Sequence, residues 1–251
     1  MHDVEAGDLN GNGRLDIVTR HQSGFGSLRG NRIYVWQQDS PRAWRYRTFN
    51  CPHGEGLELA DVNANGRLDV IIGGRWYENP GDILEGEWTE HLYMDEEHFA
   101  SCWTAGDVVV RAGDITGDGR VEIVLSPSEG EGRLSWFAAP ADPRQVGWRE
   151  QVIEPHIDHA HGLAVGDVDG DGHVDVVVAT MHQASAPQEV AVYRNAGGGA
   201  AWSKHVVSTT GSHNIVLLDL SRRGRLSVYG ANWNNRASTG GAVELWVNES
   251  P

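Results

Sequence analysis

The sequence is poor in positive charge, in cysteine and in long apolar runs, and each shortage excludes something. Lys and Arg number 20 against 35 Asp and Glu, a formal net charge of −15, which argues against duplex DNA or an anionic membrane surface as partner. No apolar run approaches the roughly 18 residues that a membrane-spanning helix needs. Two cysteines, Cys51 and Cys102, allow at most one disulfide. Sustained helical periodicity with caps is missing, as are a G-x-S-x-G elbow, a phosphate loop, a dinucleotide fingerprint and a zincin helix. The opening "MHDVEAGDL" lacks the character of a signal peptide, so export would require a signal already removed.

What the chain does have is a repeat. "DLNGNGRLD" at Asp8, "DVNANGRLD" at Asp61, "DITGDGRVE" at Asp114, "DVDGDGHVD" at Asp167 and "DLSRRGRLS" at Asp219 are separated by steps of 53, 53, 53 and 52 residues (61−8, 114−61, 167−114, 219−167). A period near 50 belongs to solenoids and propellers. Each unit carries four β-branched runs bounded by Gly, Asn, Asp and Pro, as in "GLAVGDV", "HVDVVVAT", "EVAVYRN" and "SKHVVS" of the fourth. The fold predicted is therefore all-β: a β-propeller of five blades of about 53 residues in one domain spanning 1–251, with units near 1–53, 54–104, 105–158, 159–210 and 211–251. The last unit stops too early for a fourth strand, so either its blade has three strands or the chain is part of a larger ring. The 32 glycines match the many tight turns such a fold requires.

Four carboxylates within nine positions, Asp167, Asp169, Asp171 and Asp175, repel one another unless a cation or a special hydrogen-bond set compensates them. Ca²⁺ takes six to eight oxygens and tolerates a glycine-turned loop. Positions 1, 3, 5 and 9 offer Asp8, Asn10, Asn12 and Asp16; Asp61, Asn63, Asn65 and Asp69; Asp114, Thr116, Asp118 and Glu122; and the four aspartates of the fourth loop. With 2, 2, 3 and 4 carboxylates, the fourth loop should bind most tightly. Four Ca²⁺ would bring the charge to −15 + 8 = −7. The fifth loop puts Ser221, Arg223 and Ser227 at ligand positions and should stay without an ion. The competing reading is a set of Asx-rich turns that need no metal.

D-x-[DN]-x-[DN]-G-x-x-D followed by an apolar strand resembles the FG-GAP/VCBS repeat family, over all five units and closely in four. The resemblance implies a propeller whose Asp loop joins the first two strands of a blade and holds Ca²⁺ on one face. The family hosts adhesion modules, lectins and polysaccharide-cleaving enzymes, so it leaves function open.

In that fold the links into the first strand and out of the second share the face opposite the loops. His2, His161 and His213 stand six residues before their loop aspartates, and His53 and His159 eight before theirs. His21 and His182 follow the second strand, at positions matched by Arg75 and Trp76 and by Asn232 and Trp233. Trp103 lies in another connection, outside the repeat pattern of aromatics. Trp44, Trp88, Trp148 and Trp202 recur before the fourth strand, where blade-to-blade packing is the simplest role. The mouth residues predict a carbohydrate partner: imidazoles titrate near neutral pH, indole faces suit sugar rings, and a guanidinium suits a carboxylate. A polysaccharide lyase would use Arg75 to neutralise a uronate and His161 or His182 to remove the proton alpha to it. The rival class is an adhesion or scaffold module with structural histidines. A short second link in unit two, 16 residues from Asp61 to Tyr77 against 28 from Asp8 to Trp36, predicts a low wall and a groove. Cys51 and Cys102 lie in links that converge near the axis, which predicts a disulfide in an oxidising compartment, with two buried thiols as the competing reading. A monomer, secreted or periplasmic, is the expected state.

Overall fold

The computed structural model describes residues 3–22, 31–103, 107–220, 222, 224–232 and 241–249. Blade 1 is β1 (Asp3–Gly7), β2 (Asp16–His21), β3 (Arg32–Ser40) and β4 (Ala43–Asn50), and blade 2 is β5 (Glu58–Ala60), β6 (Asp69–Ile72), β7 (Arg75–Glu78) and β8 (Thr89–Leu92). A short helix, α1 (Glu96–Cys102), precedes blade 3, which is β9 (Val108–Gly113), β10 (Glu122–Pro127), β11 (Glu131–Ala138) and β12 (Arg149–Asp158). Blade 4 is β13 (Gly162–Gly166), β14 (Asp175–Ala179), β15 (Val190–Asn195) and β16 (Trp202–Ser208); blade 5 is β17 (Asn214–Leu218), β18 (Ser227–Ala231) and β19 (Val243–Trp246). Each sheet is an antiparallel meander in chain order, the last with three strands. The molecule is all-β, a five-bladed β-propeller.

Strand alternation sends one face of each blade onto the next, so the core is divided into layers between blades rather than gathered in one centre. One layer joins Val18, Ile33 and Val35 of blade 1 to Leu57, Val70 and Tyr77 of blade 2; three more follow between blades 2 and 3, 3 and 4, and 4 and 5. The tryptophan that opens a fourth strand seals the next layer back. Trp88 packs with Leu9 of blade 1, Trp148 with Val62 of blade 2, and Trp202 against the layer holding Ile115 of blade 3. Leu9, Val62 and Ile115 each follow a loop aspartate by one position, so the seat is part of the repeat.

Blades 5 and 1 lack this seal. Inner-strand packing joins β1 to β5, β5 to β9, β9 to β13 and β13 to β17, and among the described residues nothing comparable joins β17 to β1. Leu220, the repeat counterpart of Leu9, is 52% exposed against 1% for Leu9, and Trp44 is 37% exposed against 7% for Trp88. Beside the three described strands of blade 5 a cavity of about 1030 Å³ lies over Val168, Val192, Val228, Leu245 and Trp246.

Two expectations need correction. Cys51 and Cys102 are free thiols: Cys102 ends α1, where Arg133 Nη2 donates to its Sγ at 2.7 Å, while Cys51 packs against the layer between blades 1 and 2. The low wall of blade 2 is real, a two-residue turn at Gly73 and Gly74 between β6 and β7, but α1 covers it. Phe99 lies so close that a Cβ on Gly73 would stand 2.9 Å from its ring, and Gly74 has a φ of +77° that favours glycine.

Candidate functional site

The repeat loops are built alike. The first aspartate accepts backbone N–H groups from positions 5 and 6: Asn12 and Gly13 to Asp8 at 3.0 and 2.7 Å, Asn65 and Gly66 to Asp61 at 2.9 and 2.7 Å, Asp118 and Gly119 to Asp114 at 3.0 and 2.9 Å, Asp171 and Gly172 to Asp167 at 3.1 and 2.9 Å. At position 5, Asn12, Asn65, Asp118 and Asp171 each accept the position 7 N–H at 2.9 Å. Such Asx turns hold the loop in shape.

Position 9 departs from a pure ligand role. Asp16, Asp69 and Asp175 are fully buried at the start of a second strand, where one carboxylate oxygen accepts the N–H of position 2 (Leu9, Val62, Val168) and the other an N–H of the third strand or its end (Gln38, Asn79, Asn195), all at 2.8–3.2 Å. They are staples between loop and sheet. Burial pushes all three carboxyls up against the pull of these hydrogen bonds, Asp69 to about 7. Glu122, one methylene longer, keeps the position 2 N–H of Ile115 and takes Thr116 in place of the third strand. In the fifth loop Ser227 replaces the aspartate and its hydroxyl still accepts the Asn248 N–H at 3.1 Å, while Asp219 still accepts from Gly224 at 2.9 Å. Ser221 and Arg223 lie outside the described residues.

The donor chemistry of the fourth loop fits a hard cation: Asp167, Asp169 and Asp175 each bring a carboxylate oxygen within 4.8 Å of the others. Among the described residues this is the one repeat loop that gathers three acidic groups so closely. Arg194 pairs with Asp169 from the outer side and would have to share it with an ion. Elsewhere position 3 is turned to other partners, Asn63 donating to Glu78 and Thr116 to Glu122.

At the opposite face the predicted mouth residues separate into three groups. His161 and His213 do converge, with ring centroids 3.9 Å apart and His161 Nδ1 donating to the His213 carbonyl at 3.0 Å. Glu55 stands 3.7 Å from His161 Nε2 and accepts from Ser128 Oγ at 2.8 Å. Arg20 donates to the Glu55 and Gly56 carbonyls, and Gln22 Nε2 donates to Asp107 Oδ1 at 2.9 Å, so the polar links run from blade 1 across to blade 3. His159, with a φ of +47°, is held by its N–H to the Gly130 carbonyl, beside Asp158. Around α1 a second group forms: His53, Arg75 and Trp103 share a cavity of about 350 Å³ with Arg20 and Phe99. Arg75 is already engaged there, donating to Glu90 at 3.0 Å and to Glu96 at 2.9 Å. Across the shared wall of Ala100 and Trp103 lies a cavity of about 570 Å³ edged by Glu131, Arg133, His156 and Asp158.

The third group is tied into the fold itself, and Trp103, which also edges both cavities beside α1, shares its burial. Trp76 is wholly buried, packed on His91 at 4.5 Å between blades 2 and 3, because alternation along β7 turns it inward while Arg75 faces out. Trp103 shows almost no surface and donates Nε1–H to the Arg133 carbonyl at 2.9 Å. Asn232 is tied to Gly211 at 3.2 Å, His21 ends β2, and His182 sits half-buried on the turn after β14. His2 and Trp233 lie outside the described residues.

Sequence reasoning passed over Glu55 and Glu129. Both follow the repeat: Glu55 is six residues before Asp61, as His161 is before Asp167, and Glu129 is fifteen after Asp114, as His182 is after Asp167. Register rather than residue type carried the signal.

A family description, the FG-GAP-like repeat, matches residues 114–178 and 167–230. FG-GAP-like repeats thus run through residues 114–230, within a chain that folds as a five-bladed β-propeller. No curated protein matches the chain.

Proposed function

We propose that the protein is a Ca²⁺-supported binding propeller that holds carbohydrate on the face opposite its repeat loops, in an extracellular or periplasmic setting. The observation that carries the reading is the pair of cavities flanking α1, whose walls combine carboxylates, imidazoles and guanidiniums with the Phe99 ring. Sugar hydroxyls both donate and accept, and charged groups bind them through the stronger class of hydrogen bond. The Ca²⁺ role rests on the donor set of the fourth loop and is structural, since the loops lie at the far end of the blades.

The lyase extension has less support. Arg75 neutralises Glu90 and Glu96, which leaves it no charge to spend on a uronate. A glycan array probed in Ca²⁺, followed by an absorbance assay for unsaturated uronate, tests the reading: a glycan bound without product is expected. Absence of binding to any glycan would overturn it. A second reading, a protein-binding scaffold, is favoured by the exposed apolar faces of blades 5 and 1, where Val216, Tyr229, Val243 and Leu245 on one side and Trp44 and Tyr46 on the other meet solvent.

A further inference from the structure

The imidazole pair at the mouth has a composition that neither sugar binding nor the repeat loops account for. Glu129, His161 and His213 each present a ligand atom within 4.8 Å of the other two. They come from three blades: the turn after β10, the residue before β13 and the residue before β17. Nothing in the sequence brings them together except the ring.

We propose that Glu129, His161 and His213 form a binding site for a divalent transition-metal cation of the zinc class. Three points support it. First, two imidazole nitrogens and one carboxylate oxygen are the donor set that such a cation takes, whereas Ca²⁺ takes oxygens alone. Second, the ligands are oriented from behind. His161 Nδ1–H donates to the His213 carbonyl at 3.0 Å, which leaves Nε2 with the lone pair on the side of Glu55. Gln183 Nε2 donates to Glu129 Oε2 at 3.3 Å, and Asn214 Nδ2 stands 2.9 Å from His213 Nδ1, where it donates to the ring; ligation through His213 Nε2 requires the Asn214 amide to flip so that its oxygen accepts from Nδ1–H. Third, the size is right. Around a tetrahedral cation with bonds of about 2.0–2.1 Å, ligand atoms stand roughly 3.3 Å apart. Side-chain movements of about one ångström therefore close the cluster from its present spacing.

Three protein ligands leave an open position. His161 and Asn214 also line a cavity of about 210 Å³ along the inner strands, with Glu55 and Arg111 in the same wall. That space admits water or a small oxygen ligand as the fourth donor, with Glu55, 3.7 Å from Nε2, placed to accept its proton or to become the fourth ligand.

Co²⁺ is the probe, added to full-length protein saturated with Ca²⁺ so that the repeat loops are occupied, with visible absorption as readout. The expected result is a tetrahedral Co²⁺ spectrum at one equivalent, displaced by Zn²⁺. It should be lost in His161→Ala and in His213→Gln and unchanged in His205→Ala, an exposed histidine on β16. Gln183→Ala should weaken binding by about 10–100-fold, the usual effect of removing an outer partner. Thermal melts without Co²⁺ show which variants fold, and His213→Gln, close to histidine in side-chain volume, remains the test if His161→Ala does not fold. A featureless titration, or a spectrum that survives in folded His213→Gln, overturns the site.

Discussion

Among single residues, two side chains of similar expectation have opposite fates. Arg75 and Trp76 are neighbours in β7; the first edges the cavity beside α1 and the second fills the layer between blades 2 and 3. Trp76→Ala should cost about 3–5 kcal/mol in chemical denaturation, as truncation of a fully buried aromatic does, and should leave glycan binding by the remaining folded protein unchanged. Glu58 offers a pH test. Burial pushes its carboxyl from 4.5 to about 7, with Arg111 pulling the other way. The folded state therefore holds the proton more tightly than the unfolded chain, and stability falls as pH rises from about 4.5 to about 7, by up to about 3 kcal/mol for this group. Glu58→Gln should flatten that decline, seen as a smaller difference in urea midpoint between pH 4.5 and pH 7 than in the wild type. A decline of undiminished size in the variant would place the titrating group elsewhere.

At the scale of elements, the repeat loops do two jobs that the sequence shows as one. Four acidic or amide positions read as a ligand set, yet the ninth-position carboxylate is buried and stitches the loop to its sheet, a role legible only once the third strand is seen to reach it. The fifth loop reveals the division, because Ser227 keeps the stitch after the loop has gained Arg223. Asp175→Ala should thus destabilise by about 1–3 kcal/mol even with chelator present, the cost of stranding two buried N–H groups, whereas Asp169→Ala should reduce only the part of stability that Ca²⁺ adds. Equal losses with and without chelator in Asp169→Ala would contradict the assignment. Helix α1 escaped sequence reading for a different reason: seven residues are too short to show a period. Its signal is local, an Asp95 cap accepting the His98 N–H at 2.7 Å with Glu96 and Glu97 in the first turn. Because α1 fills the low wall of blade 2, it converts an expected groove into two cavities.

At the scale of the molecule, strand order, blade number and the tryptophan seats were legible because they repeat, and repetition averages out the ambiguity of any one strand. The seam between blades 5 and 1 was not, since it depends on whether two faces meet. Leu9→Ala should cost about 2–5 kcal/mol and Leu220→Ala less than about 0.5 kcal/mol, the values for buried and exposed counterparts; equal costs would mean that the ring closes in solution. The most direct measurement of the account as a whole is calorimetric melting in excess Ca²⁺ and in chelator. A native state that binds the ion gains about 2.7 kcal/mol of stability per site at a hundredfold excess over Kd, so the melting temperature should rise with Ca²⁺, and a large share of that rise should vanish in Asp169→Ala. An identical melting temperature in Ca²⁺ and in chelator would contradict the claim that the repeat loops hold calcium.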